Sequence, residues 1–157
     1  MRVEKDYEDL LRLFNKNKVR YCVVGAYAIA FYAKPRYTKD IDILIDPDIK
    51  NAWNIVKTLE EFGFGDCKLS IADFSKKGRI IQLGYEPVRI DIITSIGRIN
   101  FKEIWKNKKR GLYGKEKIFF IGLKDLIKIK KISKRKQDQA DLEILRRINA
   151  VNADKKP

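Results

Sequence analysis

A chain of 157 residues with 35 Lys and Arg against 21 Asp and Glu carries a formal net charge of +14, and at this length it is expected to form a single domain over residues 1–150. It contains no histidine and two cysteines, which excludes a Ser-His or Cys-His nucleophile and an ordinary structural zinc site, so any catalysis has to use carboxylates, lysines or bound metal. No stretch of about twenty apolar residues exists, and Met1-Arg2-Val3-Glu4-Lys5-Asp6 opens without an apolar signal core, so no membrane partner and a cytoplasmic location are expected.

From Glu4 to Lys16, Tyr7, Leu10, Leu11 and Phe14 recur at helical spacing. Tyr21 to Val24 is a short β-rich run, with Cys22 expected to be a small buried residue. Gly25 opens a turn, and Ala26 to Ala33 reads as a short apolar helix closed by Pro35. Ile41 to Ile45 is a second strand ended by Asp46-Pro47. Asp48 is placed to cap a helix that reaches about Phe62, with Ala52, Ile55, Val56 and Leu59 on its apolar side and Gly63 as its stop. Between Asp66 and Lys77 the pattern is ambiguous, and Leu69, Ile71 and Phe74 are the expected buried positions. Cys67 falls in a loop, and a disulfide to Cys22 is not expected.

Arg79 to Leu83 and Val88 to Thr94 form a hairpin around Gly84-Tyr85-Glu86-Pro87. Asn100 to about Asn107 is a helix that buries Phe101, Ile104 and Trp105; Trp53 and Trp105 both read as core fillers. Lys117 to Ile121 is a short strand, and Leu123 to Lys134 and Gln137 to Asn149 are two helices. The domain thus divides into a core at about residues 19–122, C-terminal helices at about 123–149 and a loose tail over 151–157. Strands and helices interleave and one pair is antiparallel, which makes an α/β domain with a mixed sheet flanked by helices.

The chemistry concentrates in Arg36-Tyr37-Thr38-Lys39-Asp40-Ile41-Asp42. Alternate residues of a strand share a face, so Asp40 and Asp42 stand side by side while Ile41 and Ile43 face the core. Two such acids repel one another unless a cation lies between them. A third acid, Asp91, interrupts the apolar run Val88-Arg89-Ile90-Asp91-Ile92-Ile93 and is expected to face the pair from an adjacent antiparallel strand. Three carboxylates from neighbouring strands can hold two magnesium ions for an in-line displacement at phosphorus. The other reading of Asp91 is a salt bridge to a lysine or arginine at the core edge. Gly25 and Ala26 can present backbone N–H groups at a helix N-terminus to phosphates, though a tight turn alone would also explain the glycine.

These motifs, Val23-Val24-Gly25-Ala26-Tyr27-Ala28, the Arg-x-Thr-x-Asp-Ile-Asp run and Arg89-Ile90-Asp91, resemble the nucleotidyltransferase superfamily with the polymerase-β-like fold. The likeness is to a small prokaryotic branch that includes proteins of toxin–antitoxin and phage-defence systems, and it runs from about Val19 to about Leu145. It implies Asp40, Asp42 and Asp91 as metal ligands and catalytic residues, two Mg2+ ions (with Mn2+ as a substitute), and Arg36 and Thr38 at the rim of an NTP site. Many members carry serine where this chain has Ala26; backbone contacts to phosphate survive that change and a hydroxyl contact does not.

Much of the positive excess lies between Phe101 and Lys136, where the acids are Glu103, Glu116 and Asp125. Lys124, Lys128, Lys131 and Arg135 recur at three- and four-residue steps and are expected on one helix face. They either clamp the triphosphate or an RNA backbone, or form a solvated stripe balanced by Asp125, Asp138 and Asp141. The net charge favours a polyanionic acceptor such as RNA or a tRNA end, then a partner protein, over a cationic small molecule. A non-catalytic member that binds nucleic acid or a partner protein is the alternative.

Overall fold

The computed structural model describes residues 3–133 and 135–155. The chain order is α1 (Lys5–Lys16), β1 (Tyr21–Val24), α2 (Gly25–Tyr32), β2 (Asp40–Ile45), α3 (Ile49–Leu59), α4 (Ile71–Ser75), β3 (Ile80–Leu83), β4 (Arg89–Ile93), α5 (Phe101–Asn107), β5 (Lys109–Tyr113), β6 (Glu116–Phe120), α6 (Leu123–Ile132) and α7 (Lys136–Asp154). The strands form one mixed sheet in the order β3-β4-β2-β1-β6-β5. β1 lies between antiparallel β2 and parallel β6, and β4 lies between parallel β2 and antiparallel β3. The outer pair β5 and β6 is antiparallel.

The local reasons for these elements are legible. The stripe Tyr7, Leu10, Leu11 and Phe14 of α1 is fully buried. Asp48 caps α3 by accepting from the backbone N–H of Lys50 at 3.0 Å and of Asn51 at 3.4 Å. Ile41, Ile43 and Ile45 of β2 are buried on the face opposite Asp40 and Asp42. α2 is apolar nearly all round and therefore needs cover on several sides; it packs on β1, β2 and α7. Asn51 stitches the start of β1 to the end of β2: it accepts from Arg20 N at 2.8 Å and donates to Arg20 O at 3.1 Å and Asp46 O at 2.8 Å.

Several expectations need correction. β4 runs parallel to β2, not antiparallel, because the hairpin partner of β4 is β3 and β2 enters from the other side. α3 stops at Leu59, followed by a wide π-type turn over Glu60–Phe64 that contains Gly63 at φ +115° and a short 3-10 turn at Gly65–Cys67. β5 and the short helix α4 were not foreseen. Of the three apolar positions expected to be buried near α4, Phe74 is fully buried and Leu69 and Ile71 are half-buried. Trp53 is 62% exposed on α3 and fills no core gap, whereas Trp105 packs against Phe101 and Phe119. α7 continues through Asp154, so the tail expected to be loose from residue 151 is helical there. Lys134, the expected last residue of the first C-terminal helix, lies outside the described residues, as do Lys156 and Pro157. Cys22 is buried, Cys67 is exposed, and both are free thiols.

Replacing Asn51 by Ala removes three part-buried hydrogen bonds that join α3 to the ends of β1 and β2, so it should lower unfolding free energy by about 2 kcal/mol in urea titrations. Trp53→Ala, on an exposed face, should stay within about 0.5 kcal/mol of the parent.

Candidate active site

The carboxylates meet where β1 ends. Register places Asp42 opposite Val24 on one side and Asp91 on the other, with Asp40 opposite Arg89. One carboxylate oxygen from each of Asp40, Asp42 and Asp91 lies within 4.8 Å of the others. Asp91 is 6% exposed between buried Ile90 and Ile92. Gly25 follows Val24 directly, at φ +67°. A Cβ at position 25 would overlap Asp42 Oδ2, so the site needs glycine for its backbone angle and for the space beside the carboxylate.

Three negative groups this close demand compensation, and the chain supplies part of it. Arg89 bridges two of them: Nη2 donates to Asp40 Oδ2 at 2.9 Å and to Asp91 Oδ2 at 3.1 Å, and Nε donates to Asp91 Oδ1 at 2.9 Å. The Tyr7 hydroxyl donates to Arg89 O at 2.9 Å, which pins β4 to α1 at this point. Thr38 donates through Oγ1 to Asp40 Oδ1 at 3.0 Å. Asp91 thus stands in the acidic cluster and is at the same time ion-paired with an arginine.

Asp42 has no such partner among the described side chains. Its pKa is pushed up to about 7, first by burial and then by the charges of Asp40 and Asp91, while Lys130 and Arg89 pull it down. The Asp42 carboxylate, packed against Gly25 beside two other acids and without a hydrogen-bonded cation of its own, concentrates negative charge that a cation would neutralise. All-carboxylate oxygen donors suit hard divalent ions such as Mg2+ or Mn2+. The residues present thus fit a divalent metal, which Asp40, Asp42 and Asp91 would hold.

Lys130 is the functional candidate that sequence reading missed. It is 7% exposed on α6, and its Nζ lies 2.7 Å from Asp138 Oδ1 and 3.5 Å from Asp141 Oδ2 of α7. Burial works against the charge of Asp138, yet hydrogen bonds from Lys130, Ser133 and Arg135 outweigh it and hold the carboxyl well below the usual range. A signal was available: Lys130 sits four residues after Leu126 and three after Ile127, on the buried stripe of α6.

The basic stripe is not one face. α6 ends at Ile132, and Arg135 stands just before α7, where it pairs with Asp138 at 2.7 Å. Lys128 is exposed beside Asp125 and Lys131 is exposed, whereas the cations felt by Asp42 are Lys130 and Arg89. Arg36 donates through Nη1 to buried Asp141 at 2.8 Å and so ties the approach to β2 onto α7. Asp141 Oδ2 is buried without a hydrogen bond.

A mixed sheet that sets two aspartates of one strand beside a third on its parallel neighbour, at a glycine turn into a helix, is the arrangement of a nucleotidyltransferase. Over residues 1–155 the chain matches the family described as "Nucleotidyltransferase of unknown function (DUF6036)", and it belongs to that family. Among solved structures it is similar to that of a lincosamide antibiotic adenylyltransferase, LnuA, with lincomycin bound: TM-score 0.58, 19% identity, covering 92% of this chain and 97% of that one. That likeness bears out the expected nucleotidyltransferase fold. No curated protein matches this chain.

The raised pKa of Asp42 gives a signed expectation. Its carboxyl holds a proton in the folded state up to about pH 7 but loses it near pH 4 when unfolded, so metal-free stability falls as pH rises between those values. Asp42→Asn should match the parent in melting temperature near pH 4 and exceed it at pH 8. Added Mg2+ should raise the melting temperature of the parent more at pH 8 than at pH 5.5, and should leave the variant nearly unmoved. Thermal melts at these pH values check all three outcomes.

Proposed function

We propose that the protein transfers a nucleoside monophosphate from an NTP to a hydroxyl acceptor and releases pyrophosphate, with dependence on a divalent metal. The observation that carries this reading is the convergence of Asp40, Asp42 and Asp91 beside Gly25. Asp40 and Asp42 would hold the metal that accompanies the triphosphate, and Asp91 would complete a second metal position. When bound, such ions neutralise the phosphates and polarise the reacting phosphorus.

The chain's own groups do the rest. The free backbone N–H groups in the first turn of α2, around Gly25 and Ala26, offer donors and a positive helix end to the phosphates. Lys130, held by Asp138 and Asp141, supplies positive charge on the α6 side. Arg36 and Thr38 shape the rim by anchoring to α7 and to Asp40. Lys128, Lys131 and Arg135 lie on the solvent side of the same helices, where they are available to an extended polyanion. The acceptor oxygen forms a bond to the α-phosphorus, the bond from that phosphorus to the bridging oxygen breaks, and the acceptor proton passes to Asp91. Arg89 sits in the cluster as an internal cation and has to yield part of its hold on Asp40 and Asp91 as ligands bind.

The net charge of +14 supports a polyanionic acceptor such as RNA, with a partner protein next. A small-molecule hydroxyl is the second reading, favoured by one observation: the similar fold of LnuA is that of a lincosamide antibiotic adenylyltransferase.

Each NTP labelled on the α-phosphate, incubated with Mg2+ and in turn with total RNA, lysate protein or lincomycin, should label RNA. Asp42→Asn or a chelator should reduce that labelling by at least about a hundredfold, the scale of losing an electrostatic catalytic group. Label on lincomycin alone would select the second reading. No label in any arm, with a folded protein, would remove the transfer reading in favour of a binding role.

Removing the internal cation gives a further outcome. Arg89→Gln should bind Mg2+ more tightly than the parent by calorimetry, because nothing then competes for Asp40 and Asp91. Unchanged affinity would show that Arg89 does not compete.

A further inference from the structure

A second concavity lies at the far end of the sheet from the triad. It has a volume of about 750 Å3 and is built from the end of α1, the α1–β1 connection, the first turns of α3, the edge strand β5 with its neighbour β6, and α5. The triad sits beside Val24, the last residue of β1, whereas Lys18, Val19 and Arg20 of this cleft precede its first residue. The two are separated by roughly 13 Å of strand, at about 3.3 Å per residue.

The cleft is basic on balance, with five cations in its lining against the carboxylates of Asp48 and Glu116. Lys18, Arg20, Lys50, Arg110 and Lys117 line it, and all five are exposed. Arg20 shares Asp46 at 3.6 Å, and among the described residues the other four pair with no carboxylate. The two acids of the lining keep their charge but hydrogen-bond to neutral donors, not to these cations. Asp48 caps α3, and Glu116 accepts from Asn15 Nδ2 at 2.8 Å.

One wall is aromatic. Trp105 meets Phe119 edge to face with ring centroids 5.2 Å apart. Cations lie over these rings: Lys108 Nζ is 3.9 Å from the Trp105 centroid, and the Arg110 guanidinium is 5.6 Å from that of Phe119. The cations come from the α1–β1 connection, α3, β5 and β6 rather than from one loop, so they suit successive phosphates of a chain better than one phosphate group. The rings hold Lys108 and Arg110 in place, the exposed Arg110 guanidinium offers a base a plane to stack on, and distributed lysines follow the backbone.

We propose that this cleft binds single-stranded nucleic acid, holding an RNA acceptor by its backbone at a distance from the triad. The inference rests on the transfer reading for its use, and the binding is measured apart from it, without NTP or metal.

The probe is a fluorescein-labelled oligouridylate of about ten nucleotides, within the usual site size of single-strand binders. Anisotropy is read in chelator-containing buffer over a range of salt. Lys50→Ala/Arg110→Ala/Lys117→Ala should weaken binding more than tenfold and reduce the salt slope by roughly two. Lys57→Ala/Lys76→Ala/Arg98→Ala removes the same charge outside the cleft and should change affinity less than threefold. In a Trp53→Phe background Trp105 is the sole tryptophan, and its emission should change with the same midpoint as the anisotropy.

Equal losses in the two triple variants, or binding without a Trp105 response, would overturn the cleft in favour of diffuse attraction. So would an absence of oligonucleotide binding, or inorganic polyphosphate binding as tightly as the oligouridylate. Asp42→Asn should bind the probe like the parent while losing transfer, so failure of the cleft and failure of the catalytic reading remain distinguishable.

Discussion

Everything near the site follows from crowding three carboxylates at the end of one strand. Asp40, Asp42 and Asp91 cannot all be ionised at close range without positive charge between them. The fold supplies that charge in layers. Arg89 clasps Asp40 and Asp91 directly, and Lys130 acts on Asp42 from α6. What is left over is concentrated on Asp42, whose pKa is pushed up to about 7, first by burial and then by the neighbouring acids. A buried acid in that condition is costly to keep in a protein that uses it for nothing.

The surrounding architecture reads as support for this arrangement. Parallel pairing of β2 with β4 sets Asp42 directly beside Asp91. The glycine at position 25 lets the backbone come close to Asp42 where any side chain would intrude. Tyr7 reaches across from α1 to hold the carbonyl of Arg89, and Thr38 orients Asp40. On the other side, buried Lys130, Asp138 and Asp141 and half-buried Arg36 form a network that locks α6, α7 and the approach to β2 together. Such networks specify geometry more surely than they add stability, because burying each charge offsets much of the attraction gained.

The positive charge of the chain divides into distinct populations. Lys130 is buried, Arg89 and Arg36 are half-buried, and all three face acids. The lysines of α6 apart from Lys130 are solvated, and the cations of the distal cleft are exposed around an aromatic wall. A net charge of +14 therefore says less about function than its distribution does. No helix among the described residues is long and apolar enough to cross a membrane.

The sequence by itself determined those features that depend on neighbours along the chain. The stripe of α1, the cap at Asp48, the β3–β4 hairpin and the shared face of Asp40 and Asp42 all follow from period and local hydrogen bonding. The approach of Asp91 was also legible, since an acid between isoleucines in a strand needs a reason. Tertiary structure alone decided what depends on contacts distant in sequence: the parallel register of β2 and β4, the clasp of Arg89, and the exposure of Trp53. It also decided which of several similar lysines is buried. Lys128, Lys130 and Lys131 look alike as a run of basic residues; only the docking of α7 against α6 puts Asp138 and Asp141 around one of them. Local sequence sets periodicity, but the partner that satisfies a buried charge is chosen by packing.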